Sequence, residues 1–139
     1  MTALFPEVEG PLREWLRARP ELAELTGSGR HVYFAAPDVK ERPPRWLTIQ
    51  RVGGAPQDTD VPCDDALVAF HCFGRTKAQA AELAAALVGV LFAIKSRTPM
   101  GTVVAVHALV NAWTFEPDPV LEVPCFVVNA AIMFLAAPN

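Results

Sequence analysis

The sequence contains few of the residues on which enzymatic and metal chemistry usually depend. Its 139 residues include three histidines, one tyrosine and three cysteines. Cys63, Cys72 and Cys125 are an odd number without paired spacing, which argues against a disulfide framework and against a zinc site of the Cys-x-x-Cys kind. There are no internal repeats and no low-complexity tract. We therefore expect no metal, no cofactor and no enzymatic activity.

Clustered basic charge and a membrane-spanning segment are also missing. The formal net charge is −3, and scattered lysines and arginines argue against a nucleic-acid-binding surface. The longest apolar helix candidate, Ala78 to Ile94, contains Glu82 and is about as short as the shortest membrane helices. Glu7 and Glu9 come early, so the N-terminus does not resemble a signal peptide. We expect one soluble, intracellular domain over residues 1–139.

The first half of the chain predicts a helix followed by a β-hairpin. Apolar residues between positions 8 and 16 recur at helical spacing. His31 to Phe34 is a short strand candidate, and Trp46 to Val52 and Asp65 to Phe73 have the composition of longer strands. The segment from Gly53 to Asp64 contains glycines, prolines and acids and predicts a long loop. The two longer strands then form an antiparallel hairpin with this loop at its tip.

The second half predicts one long helix and two long strands. Thr76 is a suitable N-cap, and an apolar stripe runs from Ala80 to Ile94. Thr102 to Phe115 and Pro124 to Leu135 are strand candidates joined by a short proline-containing connection. The fold class is therefore α+β. We expect a mostly antiparallel sheet of four to five strands, with an N-terminal helix and one long helix packed on one face.

Both faces of the last two predicted strands are apolar. In the final strand only Asn129 is polar, and simple alternation along the preceding strand places His107, Leu109 and Trp113 together on the second face. An antiparallel sheet with one face in water should instead alternate apolar with polar residues. Two helices cover one face only, so we expect the second face to lie against another subunit. The alternative is a strongly curved sheet that closes on itself in a monomer.

His71 and Cys72 are the one adjacent pair that suggests a base and a nucleophile. Neighbouring residues of a strand point to opposite faces, so the two side chains cannot easily meet. A catalytic role for Cys72 would need His31 or His107 to be brought in by the fold. We expect Cys72 to be a core residue.

The glycines and acids of the predicted loop suggest two kinds of ligand site. Asp58, Asp60, Asp64 and Asp65 resemble a calcium loop, but the run lacks the glycine and the terminal glutamate of an EF-hand. Gly53-Gly54 follows a strand, as in a phosphate-binding loop, but Pro56 and acids come next instead of a helix start. We expect a solvated hairpin tip or a loop that binds a partner protein.

Three segments resemble the tail terminator proteins, or tail-completion proteins, of long-tailed bacteriophages. They are Pro-Arg-Trp-Leu-Thr-Ile-Gln-Arg-Val-Gly-Gly at 44–54, Asp-Ala-Leu-Val-Ala-Phe-His-Cys-Phe-Gly at 65–74 and Arg-Thr-Lys-Ala-Gln-Ala-Ala-Glu-Leu-Ala at 75–84. The resemblance implies a homo-oligomeric ring, usually a hexamer, that caps the tail tube at its final length. It also implies a virion protein at the head–tail junction, assembled in the host cytoplasm.

The resemblance further implies partners and contact residues. The partners are other copies of the chain, the major tail tube protein and the head–tail connector, with genome DNA only passing through the channel and no membrane. The residues implied for contact with the tube or connector are Gly53, Gly54, Gln57, Asp58, Thr59 and Asp60. Those implied for the subunit interface are Arg51, Arg75, His107, Leu109, Trp113, Val127, Asn129 and Met133.

Two other functions fit the same pattern. A neck or head–tail joining protein has the same size and fold and would bind the portal or connector instead of the tube. A non-viral α+β ligand-binding domain would remain a monomer.

Overall fold

Four long antiparallel strands form the centre of the fold. The computed structural model describes residues 3–57 and 61–138. In chain order the elements are β1 (Ala3–Leu4), α1 (Glu9–Arg17), α2 (Pro20–Thr26), β2 (Val32–Tyr33), a 3₁₀ turn (Val39–Glu41), β3 (Arg45–Gln57), β4 (Cys63–Gly74), α3 (Lys77–Phe92), β5 (Thr98–Met100), β6 (Val103–Phe115), β7 (Cys125–Leu135) and β8 (Ala137–Pro138).

The main sheet has six strands in the order β2-β3-β4-β7-β6-β5. β2 is parallel to β3, and every other neighbouring pair is antiparallel. β1 and β8 form a separate antiparallel pair. The α+β class is confirmed, but the expected count of four to five strands is too low. β5 was missed because three residues around Pro99 show no alternation, and proline is tolerated there because β5 lies at a sheet edge.

The β3–β4 hairpin is longer than expected. Gly53, Gly54 and Gln57, expected in a loop, lie in β3, and β4 begins at Cys63. The register shifts between Arg51 and Gly53, which marks a β-bulge, and Gly54 has a φ of 85°. A Cβ atom at Gly54 would collide with the backbone carbonyl oxygen of Asp65. The glycines therefore allow a bulge inside the hairpin. Asp58, Thr59 and Asp60, also expected in the loop, lie outside the described residues.

All three α-helices pack on one face of the sheet, where the main core lies. Thr76 caps α3 as expected, because its hydroxyl accepts a hydrogen bond from the Gln79 amide at 3.2 Å. α1 buries Leu12 and Leu16 against the sheet. α3 buries seven residues: Ala80, Leu83, Ala84, Leu87, Val88, Val90 and Leu91. The predicted long helix on one face is confirmed. No helix among the described residues is long and apolar enough to cross a membrane.

Two β-bulges in β6 change which side chains share a face. The register with β7 shifts between Ala105 and His107 and again between Val110 and Ala112. Each extra residue reverses the direction of the side chains that follow. Trp113 therefore lies opposite Val128, on the helix side of the sheet. Its expected place beside His107 and Leu109 is wrong.

A partly buried ion pair holds the bulged part of the β3–β4 hairpin. The guanidinium of Arg51 donates two hydrogen bonds to the carboxylate of Asp64, one of them 2.7 Å long between Nη2 and Oδ1. Arg51 Nε donates to the carbonyl of Gly53, and its backbone amide donates to the Glu9 carboxylate at 3.0 Å. The Asp64 side chain is 3% exposed and that of Arg51 is 29% exposed. This bond with Asp64 raises the pKa of Arg51.

Replacing Arg51 by alanine should destabilise the protein strongly. The change leaves the buried carboxylate of Asp64 without its partner, and breaking a buried pair in this way costs about 3–5 kcal/mol. Because Arg51 keeps some contact with water, we expect the lower end of that range. The measurement is the free energy of unfolding in urea, with Arg75→Ala as the matched control, since Arg75 is exposed. Equal stabilities for the two variants would contradict the structural role of the pair.

Candidate functional site on the outer sheet face

The outer face of the sheet, which points away from the helices, is covered only at one end. There Trp46 and Phe73 stack with ring centroids 3.9 Å apart. A small second core forms around them, with Cys125 and Val127 buried beside the two rings. Tyr33, Leu121 and Val123, from β2 and from the β6–β7 connection, cover this cluster. This end of the outer face is thus sealed within one chain.

The rest of the outer face is open. Leu109 is 59% exposed. On the same face Leu67, Ala131 and Met133 are half-buried, and the polar Gln50 and His107 are exposed. The pairing register assigns the members of this open face. They are Gln50, Leu67, Ala69, Asn129, Ala131, Met133, His107, Leu109 and Ala112. A mostly apolar surface of this kind on one protomer is typical of a protein–protein contact.

A shallow cavity of about 540 Å³ lies at the hairpin end of the outer face. Its lining combines apolar side chains with one acid and one arginine. The lining residues are Gln57, Val61, Cys63, Asp65, Ser96, Arg97, Val106, Met133 and Leu135.

The cysteines and histidines are not arranged for catalysis. The Nδ1 atom of His71 lies 3.9 Å from the Sγ atom of Cys125, which is longer than a catalytic hydrogen bond. Burial raises the pKa of Cys72 well above its usual value, and burial followed by the charge of Asp118 raises the pKa of Cys125 to about 12. A nucleophilic cysteine needs a lowered pKa instead. Within residues 3–57 and 61–138, no group of three His, Cys, Asp or Glu side chains is placed to hold a metal ion.

The structure brings together only part of the expected subunit interface. His107, Leu109, Asn129 and Met133 share the open face, and Val127 lies at its covered end. Arg75 is exposed beyond the end of β4.

The other two expected interface residues lie elsewhere. Arg51 is engaged with Asp64 of its own chain, and Trp113, 46% exposed, lies on the helix side. Sequence reasoning missed Ala112 and Leu67 as members of the open face. The extra residue at this shift is Asn111, and one polar residue in an otherwise apolar strand does not indicate a bulge.

A second apolar surface lies on the exposed side of α3. Ala85, Gly89 and Phe92 are exposed there, although a surface helix normally carries polar residues on its outer side. A Cβ atom at Gly89 would meet nothing within 4 Å, so no contact inside the chain requires a glycine at this position.

Comparison with known proteins supports a role in a phage-like particle. The sequence matches the family model described as tail completion protein gp17 over residues 10–132. A chain in the solved structure of the virion of a native gene transfer agent (GTA) particle has a similar fold, with a TM-score of 0.65 at 15% sequence identity. The similarity covers 94% of this chain and 95% of that chain. No curated protein matches the sequence.

All three thiols should be unreactive in the folded protein. Cys63, Cys72 and Cys125 are buried, and a raised pKa keeps Cys72 and Cys125 protonated at mildly alkaline pH. We expect a colorimetric thiol reagent to label none of them rapidly in native protein and all three after unfolding. Rapid native labelling of one cysteine would contradict the buried, non-nucleophilic arrangement.

Proposed function

We propose a function for this chain, which belongs to the family of tail completion protein gp17 and is a structural tail protein of a virion. It forms a ring, as a homohexamer, which caps the tail tube, ends tube polymerisation and provides the surface that joins the tail to the head connector.

The open face is the observation that carries the ring. Leu109 and Met133 lie on a surface that the helices of the same chain do not reach, because all three helices are on the other side of the sheet. Fully burying one leucine side chain contributes about 1.5–3 kcal/mol relative to leaving it in water. Further copies of the chain can provide that burial. A repeated head-to-tail contact with a suitable rotation closes into a ring.

The contact residues follow from this arrangement. The proposed subunit interface contains residues on the open face and near it: Arg75, His107, Leu109, Val127, Asn129 and Met133. Arg51 and Trp113 stay predictions, since the head group of one is paired within its chain and the other lies on the helix side. The proposed tube or connector contact contains Gly53, Gly54 and Gln57 of β3 and the three residues that follow in the sequence, Asp58, Thr59 and Asp60.

The test is the length of tail tubes grown in the presence of the protein. Purified major tail tube protein from the same particle is polymerised with and without this chain, and tube lengths are measured by electron microscopy. A terminator shortens the tubes in proportion to its concentration and leaves a ring at one end. Binding to the connector without any effect on tube length would instead indicate a neck protein.

Replacing Leu109 by lysine should weaken self-association. The variant loses the burial of a leucine in each contact and places a charge there, so we expect association to weaken by at least about 10-fold, from roughly 1.5–3 kcal/mol. Sedimentation equilibrium gives the association constant. The matched control is Val120→Lys, since Val120 is 87% exposed in the β6–β7 connection. Equal association of both variants would exclude Leu109 from the interface.

A further inference from the structure

The two edges of the main sheet are each paired over only a short length. β2 pairs with Leu47 and Thr48 of β3, and β5 pairs with residues 103–105 of β6. After Thr48 in β3 and after Ala105 in β6, no further strand of the described residues pairs with the outer edge. An unpaired strand edge is a template for another strand.

The unpaired parts of β3 and β6 lie at the same position along the strand direction. Following the register across β4 and β7, Gln50 of β3 is level with Ala112 of β6, and Ala55 is level with His107. β2 occupies the outer side of β3 at one end of this window, and β5 occupies the outer side of β6 at the opposite end. Suppose that β6 of one copy lies beside β3 of the next. A stretch of about seven residues is then free for pairing on both strands, with β2 at one end of it and β5 at the other.

The direction of the strands also suits such a junction. β3, β4, β7 and β6 are successively antiparallel, so β6 runs opposite to β3. When a second copy is related to the first by rotation about an axis along the strands, its β3 runs antiparallel to the β6 that it meets. The junction then has the same antiparallel geometry as the pairs inside each chain.

The bulges make β3 a specific partner for β6. One bulge of β6 lies between Val110 and Ala112, and the bulge of β3 lies between Arg51 and Gly53, one step away in height. A bulge increases the local twist of a strand, so a flat strand would fit poorly against β6. The charged side chain on this length of β3, Arg51, is already neutralised by Asp64.

The hydrogen-bonding groups of the two edges are complementary. The amides of Leu47 and Arg51 point outward, since they donate to the His31 carbonyl and to the Glu9 carboxylate. The Arg51 amide is thus already bonded within its own chain, and Pro56 has no amide hydrogen. The free edge of β3 therefore offers mainly carbonyl oxygens. β6 has no proline between residues 106 and 115 and offers both donors and acceptors. The junction would therefore form a partial ladder in which β6 mostly donates.

We propose that neighbouring copies of this chain join edge to edge, β6 of one to β3 of the next, so that the sheet continues from subunit to subunit. This inference rests on the proposed ring in that repeated pairing must close. It adds the contact that makes the ring: Leu109, Ala112 and their neighbours on one copy meet Gln50 to Ala55 on the next. Gly53 and Gly54 then belong to this subunit junction, and the proposed tube or connector contact is carried by Gln57, Asp58, Thr59 and Asp60.

The test is a disulfide between two different single-cysteine additions. Gln50→Cys protein is mixed in turn with Leu109→Cys, Ala112→Cys or Thr114→Cys protein under mild oxidation. These three β6 positions point to the outer face at different heights, and the native cysteines are all buried. We expect a covalent dimer of the 15.1 kDa chain, seen on a non-reducing gel, with Ala112→Cys as the strongest partner. Gln50→Cys with Val120→Cys is the matched control, and no variant should cross-link alone.

The outcomes distinguish the edge-to-edge junction from the proposed tube-capping function. A double Gln50→Cys/Ala112→Cys chain should give a ladder of covalent oligomers that ends at the ring. No cross-link in any mixture, or Ala112→Cys dimers without Gln50→Cys, would overturn the edge-to-edge junction. If the variants do not cross-link while the wild-type protein forms rings that shorten tubes, the junction is wrong and the proposed function stands. A clean ladder from a protein that does not shorten tubes would refute the function and keep the junction.

Discussion

A single helical layer against four long strands is the constraint on which the rest of this structure depends. The helices bury Leu83, Leu87 and Ile132 on one side of the sheet. Nothing in the described chain does the same for Leu109 on the other side, and only the end around Trp46 is sealed by connecting segments. One protomer therefore ends its folding with an apolar surface, and that surface is the physical reason to expect copies or partners.

The β-bulges are the second determinant. They turn a regular sheet into one whose edges are twisted and selective, and they decide which side chains reach the open face. The bulge near Gly54 is stabilised by an ion pair between Arg51 and Asp64 and by the Glu9 carboxylate from α1. Stability of the protomer and the shape of one free edge are thus linked through the same few residues.

Local and periodic signals predicted most of the fold. The cap at Thr76, the stripe of α3 and the two closing strands follow from patterns that propensity and periodicity describe well. The end of β3 was not predicted, because glycine and proline next to acids have the composition of a loop. In the structure a bulge keeps these residues in the strand. The sequence also did not predict which residues of β6 point to each face. Where both faces are mostly apolar, the pattern does not reveal an extra residue, and Trp113 was assigned to the wrong face.

The most direct test of the account is hydrogen exchange of the β6 backbone amides in the assembled and dissociated protein. Assembly that covers the open face and the free edge should slow exchange between His107 and Trp113 while leaving the exposed connection around Val120 unchanged. Equal exchange rates in β6 at every protein concentration, together with a mass that stays at 15.1 kDa, would contradict it.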